Sequence, residues 1–172
     1  MDLFDEAALV GGCLLCAQKL EFTLYGIVSH LSHLDEAKKE KRFRELTPEA
    51  FLRGSVSELK STFGQIEKVF GNKLMLSSKE LDSFLENRNT LVHNYWRLTH
   101  TNIRDGESLS NPKDFLNKFL QDAKNLEQIF NGLLWVLEDA FAKKEGRLDE
   151  IEKTQGKELQ KQSYYEYVAR NT

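Results

Sequence analysis

The segment from Glu86 to Trp96 carries an arginine, Arg88, and a histidine, His93, five positions apart in a helical pattern. On a helical wheel of about 100° per residue, Arg88 falls near the centre of an apolar sector. A guanidinium among apolar side chains is costly unless it is paired. Three explanations stay open: a salt bridge with a buried acid, a place in a dimer interface, or a polar cleft that binds an anion. The apolar sector consists of Leu81, Phe84, Leu85, Leu91, Val92 and Tyr95.

Arg88 and His93 together suggest chemistry on a phosphodiester. Histidine exchanges a proton near neutral pH, and the planar guanidinium suits phosphate. Cleavage of RNA by its own 2′-hydroxyl needs a base, an acid and a cation at the phosphorus centre, but no metal. One Arg–His pair supplies half of this set. A symmetric homodimer that brings two pairs into one cleft would complete it.

The relative position of these side chains depends on the local helix geometry. An ideal helix puts Arg88 and His93 on different faces, about 140° apart. The length of the arginine side chain and a distortion of the helix would have to close that gap. Asn89 lies one turn before His93, and the two share a face at the edge of the apolar sector.

Apolar residues recur every three or four positions along most of the chain, which predicts helices throughout. Ser77 and Glu80 are spaced as a capping box that opens the helix carrying Arg88, and Asn111-Pro112 opens the next one. The predicted fold is all-α: an antiparallel four-helix bundle with a short extra helix and a C-terminal extension. The four main helices are predicted at about 2–34, 55–70, 78–97 and 112–145, and the short one at 47–54.

After Gly146 the chain becomes highly charged and has few apolar anchors. We therefore expect one helical domain, 1–145, followed by a charged C-terminal helix or tail, 146–172. Three closely spaced tyrosines in SYYEYVARNT leave two interpretations open. The segment is a frayed helix and tail, or it docks on a partner and becomes ordered on binding.

Composition excludes some classes of protein. The formal net charge of −3 argues against a general DNA-coating protein. No run of about 18 apolar residues exists, so we expect no membrane span. The apolar stretch LVGGCLLCA follows acidic residues, whereas a secretory signal would follow basic ones, and this favours a cytoplasmic protein. Cys13 and Cys16 lack a second ligand pair for zinc, so we expect buried thiols, no metal and no cofactor.

Five basic residues form the only dense basic run, just after the first predicted helix. The run is either a solvated connector or a contact for the phosphate backbone of RNA beside the cleft. Trp96 and Arg97 follow His93 closely and are candidates for contact with an RNA base or backbone. The residues of the basic run are Lys38, Lys39, Lys41, Arg42 and Arg44.

The segment RNTLVH, Arg88 to His93, resembles the RxxxxH signature of HEPN domains. Those domains are small all-α bundles, often dimeric, and many are metal-independent ribonucleases in which the motifs of two protomers meet to form the active site. The continuation to Tyr95 resembles the HxY ending of HEPN toxins that are paired with minimal nucleotidyltransferase antitoxins. In such pairs the antitoxin adds AMP to the tyrosine. The resemblance therefore implies an antitoxin of this kind as a candidate partner.

The resemblance also implies a role for each residue of the motif. Arg88 would bind and stabilise the scissile phosphate, and His93 would be the acid–base residue. Asn89 would orient or contact the phosphate, and Tyr95 would be a modification site or a cleft residue. The implied function is a metal-independent endoribonuclease of toxin or abortive-infection type, with RNA as its substrate. The alternatives are a non-catalytic HEPN-like module that dimerises and binds a nucleotidyltransferase or another regulator, and a structural bundle in which Arg88 pairs with a buried carboxylate.

Overall fold

Every regular element that the structure describes is helical. The structure is a computed structural model, and it describes residues 2–32, 34, 74–76, 78–100 and 108–172. No strand occurs in these ranges, so the prediction of an all-α fold is confirmed. The predicted helices at 47–54 and 55–70 and the basic run at 38–44 lie outside the described residues.

The first helix, α1, spans Leu3–Ser32, close to the predicted 2–34. One face is buried because its apolar residues recur at three- and four-residue steps. Another face leaves large apolar side chains in solvent, among them Phe4 and Leu15. The buried apolar residues of α1 are Cys13, Ala17, Leu20, Leu24, Ile27, Val28 and Leu31.

The second helical segment carries the motif and is interrupted near its middle. Helix α2 spans Lys79–Asn89, a π-helix spans Thr90–Asn94, and α3 continues over Tyr95–His100. Ser78 is the N-cap, and its hydroxyl oxygen accepts a hydrogen bond of 3.0 Å from the Leu81 amide. The predicted capping box placed this role one residue earlier. Ser78 takes it because its backbone is extended while Lys79 is already helical.

Helix α4 spans Pro112–Glu145 and has the predicted boundaries. Asn111 caps it by accepting a hydrogen bond from the Asp114 amide at 3.2 Å, and Pro112 occupies the first helical position. Gly146 ends the helix with φ = 72°, a left-handed conformation that glycine adopts without steric cost. These local signals explain why both ends could be read from the sequence.

Helix α5 spans Gln155–Asn171 and packs antiparallel on α4 of the same chain. The Trp135 indole donates to Gln160 Oε1 at 2.6 Å, and the Gln128 amide donates to the Ser163 hydroxyl at 2.9 Å. Among the three tyrosines near the C-terminus, Tyr164 and Tyr167 are buried and Tyr165 is exposed. The segment is therefore a packed helix, and these two tyrosines are its main apolar anchors.

The helices form a four-helix arrangement around α4. The motif helix, α2 with its continuation α3, runs antiparallel to α1 and to α4, and α5 runs antiparallel to α4. Helices α1 and α4 lie side by side in the same direction. Their contacts advance together: the Cys13 thiol donates to the Leu116 carbonyl oxygen at 3.3 Å, and further along Gly26 faces Leu134. Phe84 of α2 stacks on Phe119 of α4, with ring centroids 5.1 Å apart. The core is thus shared by α1, α2, α4 and α5.

Helix α1 is long and apolar enough to cross a membrane, judged by length and composition alone. Core helices of soluble proteins and signal sequences near an N-terminus both pass the same test. The sequence analysis predicts no span, because no uninterrupted apolar run of the required length exists. In the structure α1 packs along α4 and contributes to the shared core.

Candidate active site

The motif residues lie where the helix is distorted. The π-helix at Thr90–Asn94 falls between Arg88 and Tyr95. In a π-helix each amide bonds to the carbonyl five residues earlier, so residues five apart come closer to one line than in an α-helix. Arg88 and His93 are five apart. The distortion that would be needed to bring them to one groove is therefore present at the motif.

Two adjoining cavities follow the groove between α1 and the motif helix. The first has a volume of about 780 Å³ and contains Arg88. The second has a volume of about 400 Å³ and contains His93. Leu14 and Val92 line both. Arg88 and His93 thus face two parts of one groove.

Arg88 is held by a buried acid from α1. Its Nε donates a hydrogen bond of 2.7 Å to Glu21 Oε1, and the two side chains are 15% and 6% exposed. Burial raises the pKa of the Glu21 carboxyl, while the neighbouring guanidinium lowers it in part. The first of the three explanations for Arg88, a salt bridge with a buried acid, is thus what the structure shows.

The pairing leaves much of the guanidinium available. Only Nε is engaged by Glu21, and within the described ranges no hydrogen bond is made by the two terminal Nη atoms. These atoms carry four of the five N–H donors of arginine. Because the Glu21 carboxylate holds Nε, the orientation of the guanidinium is fixed and its two Nη atoms are left to bind an anion in the groove. The salt bridge and the anion-binding role are therefore compatible.

His93 and Asn89 are exposed. In the part of the chain that the structure describes, neither side chain takes part in a hydrogen bond or an ion pair. Asn89 lines neither cavity, whereas His93 lines the second one, and both positions are at the edge of the apolar sector. A histidine open to a groove is able to exchange a proton with a ligand there.

Tyr95 is buried at the edge of the core. Its hydroxyl donates a hydrogen bond of 2.7 Å to Glu6 Oε1, and its ring stacks near Phe115, with centroids 6.3 Å apart. Burial, with a contribution from Glu6, raises the pKa of the Tyr95 hydroxyl well above its usual value. Although Tyr95 lines the second cavity, its oxygen is turned to a carboxylate of its own chain.

Glu6 and His100 also belong to the groove, although the sequence did not single them out as partners. His100 Nε2 lies 3.0 Å from Glu6 Oε1, and both residues line the second cavity with His93. Hydrogen bonds from Tyr95 and then His100 lower the pKa of Glu6, against the effect of burial. The signal was present in the sequence, because His100 lies two helical turns after His93 and on the same face.

Trp96 forms part of the same surface. It is 61% exposed and stacks on His100 with ring centroids 4.1 Å apart. Arg97 is also exposed and follows directly. Both remain candidates for contact with RNA.

The two cysteines line neither of the groove cavities. Cys13 is buried, Cys16 is partly buried, and both are free. Burial raises the pKa of the Cys13 thiol to about 11, so at neutral pH it is an unreactive donor to the Leu116 carbonyl. Among the described residues, no three metal-ligating side chains come together.

Comparisons of the chain with known protein families, with curated proteins and with solved structures gave no match. The groove between α1 and the motif helix is the candidate site. Its distinctive content is an anchored arginine, an exposed histidine and a second histidine held by a carboxylate. These lie on one surface, between α1 and the motif helix.

Proposed function

We propose that the protein is a metal-independent endoribonuclease that acts as a homodimer. The observation that carries the proposal is the π-helix between Arg88 and Tyr95, which lets Arg88 and His93 face one groove. Glu21 fixes the arginine, and His93 is open to solvent. The proposal includes RNA as substrate, a toxin or abortive-infection role in the cytoplasm, and a minimal nucleotidyltransferase-like antitoxin as a regulator.

The reaction follows from these groups. One histidine accepts the proton of the RNA 2′-hydroxyl, and the 2′-oxygen attacks phosphorus. The Nη atoms of Arg88 offset the negative charge that accumulates on the non-bridging oxygens. The bond from phosphorus to the 5′-oxygen breaks, and that oxygen takes a proton from a protonated histidine, which a dimer would supply as the partner's His93. The products are a 2′,3′-cyclic phosphate and a free 5′-hydroxyl.

An exposed stripe on α1 supports the homodimer. Its residues recur at alternating four- and three-residue steps, which is the spacing of a coiled-coil seam. Phe4 is 87% exposed and Leu15 68% exposed, and a Cβ added at Gly11 would meet nothing within 4 Å. Phe22 belongs to the stripe and also lines the Arg88 cavity. A second copy on this stripe would therefore lie beside the groove. The stripe consists of Phe4, Ala8, Gly11, Leu15, Gln18 and Phe22.

A cleavage assay in EDTA tests the proposal. We expect wild-type protein to cleave total RNA or tRNA without metal and to leave 2′,3′-cyclic phosphate ends. His93→Ala should lose at least about 100-fold in rate, because a positioned acid–base group contributes that much or more. The control is Thr99→Ala, which removes a hydroxyl on the same helical segment whose only hydrogen bond within the described ranges is to the Tyr95 carbonyl. Equal cleavage by wild type and His93→Ala would overturn the proposal.

A second candidate, favoured by the Arg88–Glu21 pair itself, is a non-catalytic dimerisation or binding module. A buried partner for Arg88 accounts for a charge in the apolar sector without any ligand. In this case a well-folded dimer would show no RNA cleavage. It would instead bind a nucleotidyltransferase or another regulator, and His93→Ala would leave that binding unchanged in a pull-down with the purified partner.

A further inference from the structure

We propose that His100 is a second catalytic residue of the groove, so that one protomer holds both the base and the acid for RNA cleavage. The inference rests on the proposed ribonuclease function and deepens it. His100 and His93 line the same cavity of about 400 Å³. A composite site built from two protomers is then not needed to supply the second histidine.

The contact with Glu6 assigns a role to His100. An ionised carboxylate only accepts hydrogen bonds, so the proton between Glu6 Oε1 and His100 lies on Nε2. A neutral imidazole in this tautomer offers Nδ1 as its proton acceptor. A carboxylate behind a histidine also stabilises the imidazolium that forms when the proton arrives, as in other carboxylate–histidine pairs. His100 is therefore the base that takes the 2′-hydroxyl proton.

His93 then serves as the acid. It is exposed and has no carboxylate partner among the described residues. In its protonated form it delivers a proton to the departing 5′-oxygen as the phosphorus–oxygen bond breaks. The two histidines are seven residues apart, or about 10 Å along the helix axis. A phosphodiester and the hydrogen bonds on either side of it would bridge that gap. In each cleavage His100 gains one proton and His93 loses one, and proton exchange with water returns both histidines to their starting states.

The exposed ring of Trp96 indicates which chemical class of ligand the groove would bind. Its ring lies between the two histidines in sequence, is 61% exposed and is stacked on His100 at 4.1 Å. An exposed aromatic ring is a platform for an unpaired base, because every base has a face that stacks. The groove is thus suited to a nucleotide of single-stranded RNA, with its base on Trp96 and its phosphate toward Arg88.

Glutamine at position 100 separates the catalytic role from a structural one. The side-chain amide of His100→Gln is able to donate to Glu6, as Nε2 does, but it cannot accept a proton at neutral pH. We expect it to keep the wild-type unfolding midpoint and to lose at least about 100-fold in cleavage rate. The loss should also remove one limb of the pH–rate profile. Cleavage by His100→Gln at the wild-type rate would overturn the proposal.

Mixing variants tests whether one chain holds the whole set. In a co-expressed mixture of His93→Ala and His100→Gln, no chain carries both histidines, so we expect no cleavage. Restored cleavage would show that the two histidines of a site come from different protomers and would overturn the single-protomer arrangement.

A binding measurement distinguishes failure of this inference from failure of the proposed function. Uridine 3′-monophosphate is titrated into the full-length protein, and the imidazole signals of His93 and His100 are followed by NMR. Shifts at both histidines, lost in Trp96→Ala, are expected even if no RNA is cleaved. Absence of RNA cleavage with both shifts present would reject the ribonuclease and with it the catalytic role of His100, whereas cleavage that persists in His100→Gln would reject the catalytic role alone. Absence of a shift at His100 would overturn the inference.

Discussion

Arg88 donates a short, partly buried hydrogen bond to Glu21. Burial raises the pKa of Glu21, and the arginine offsets only part of that effect. Glu6 behaves in the opposite way, because hydrogen bonds from Tyr95 and His100 hold its pKa below the usual value. Glu6 and Glu21 of α1 therefore give the groove two carboxylates whose pKa values are shifted in opposite directions.

Replacement of Arg88 by alanine leaves Glu21 buried without its cation. We expect the free energy of unfolding to fall by about 3–5 kcal/mol, as measured by urea denaturation at pH 7. The double variant with Arg88→Gln and Glu21→Gln removes both charges and keeps a hydrogen-bonded pair, so most of the loss should be recovered. Equal losses in the single and double variants would show that the unpaired charge is not the cause.

The two carboxylates predict opposite pH dependences. Because the folded pKa of Glu21 is raised above 4.5, wild type should lose stability relative to Glu21→Gln as pH rises through that raised value. Because the folded pKa of Glu6 is lowered from 4.5, wild type should lose stability relative to Glu6→Gln as pH falls through the lowered value. Urea midpoints across the acid range measure both. If the stability differences for the Glu21 and Glu6 variants changed with pH in the same direction, the opposite pKa shifts of the two carboxyls would be contradicted.

Helix α5 is held against α4 by a close approach at one glycine. A Cβ added at Gly132 would lie 2.0 Å from the Gln160 carbonyl oxygen. Because that oxygen belongs to the backbone, it cannot rotate out of the way as a side-chain atom could. The tyrosines of α5 also reach the start of the motif helix, where the Tyr167 hydroxyl donates to the Met75 carbonyl at 3.1 Å and contacts the Ser78 hydroxyl. At the scale of elements, α5 therefore supports the cap of α2.

Gly132→Ala should separate the two helices. We expect destabilisation of at least about 1–3 kcal/mol and faster proteolysis within 155–171. The matched control is Gly26→Ala on α1, whose added Cβ would sit 3.7 Å from Leu134 in ordinary contact. It should be neutral or stabilising, because alanine is the better helix former. Equal behaviour of the two variants would show that the α4–α5 approach is not tight.

The whole molecule leaves part of its apolar surface without a partner among the described residues. The stripe on α1 includes three exposed large apolar side chains, Phe4, Leu15 and Phe22, and it adjoins the Arg88 cavity through Phe22. Exposed apolar stripes at coiled-coil spacing favour association with another helix. The state of assembly of this protein should therefore depend on α1.

A charge in the middle of the stripe tests this dependence. We expect Leu15→Arg to convert a dimer to a monomer in analytical ultracentrifugation, because two buried cations would face each other across a two-fold interface. Leu159→Arg places the same charge at an exposed leucine of α5 and should leave the dimer intact. Dissociation by both variants, or by neither, would rule out the stripe as the interface.

Features whose causes are local could be predicted from the sequence. Helical periodicity, the Asn111 cap and Gly146 depend on neighbours within a few residues, so the all-α class and both ends of α4 could be predicted. The unusual position of Arg88 in an apolar sector was also visible, as was its need for a partner. The identity of that partner was not, because Glu21 lies 67 positions away and only helix packing brings it near.

The remaining features of the groove were decided by the tertiary structure. Glu6 meets His100 across 94 positions of sequence, and the π-helix at Thr90–Asn94 has no local signature that periodicity detects. The packing of α5 likewise depends on Gly132 of another helix, which no charge pattern in 155–171 reveals. Local rules fix where helices begin and end. The pairing of side chains in the groove depends on how those helices meet.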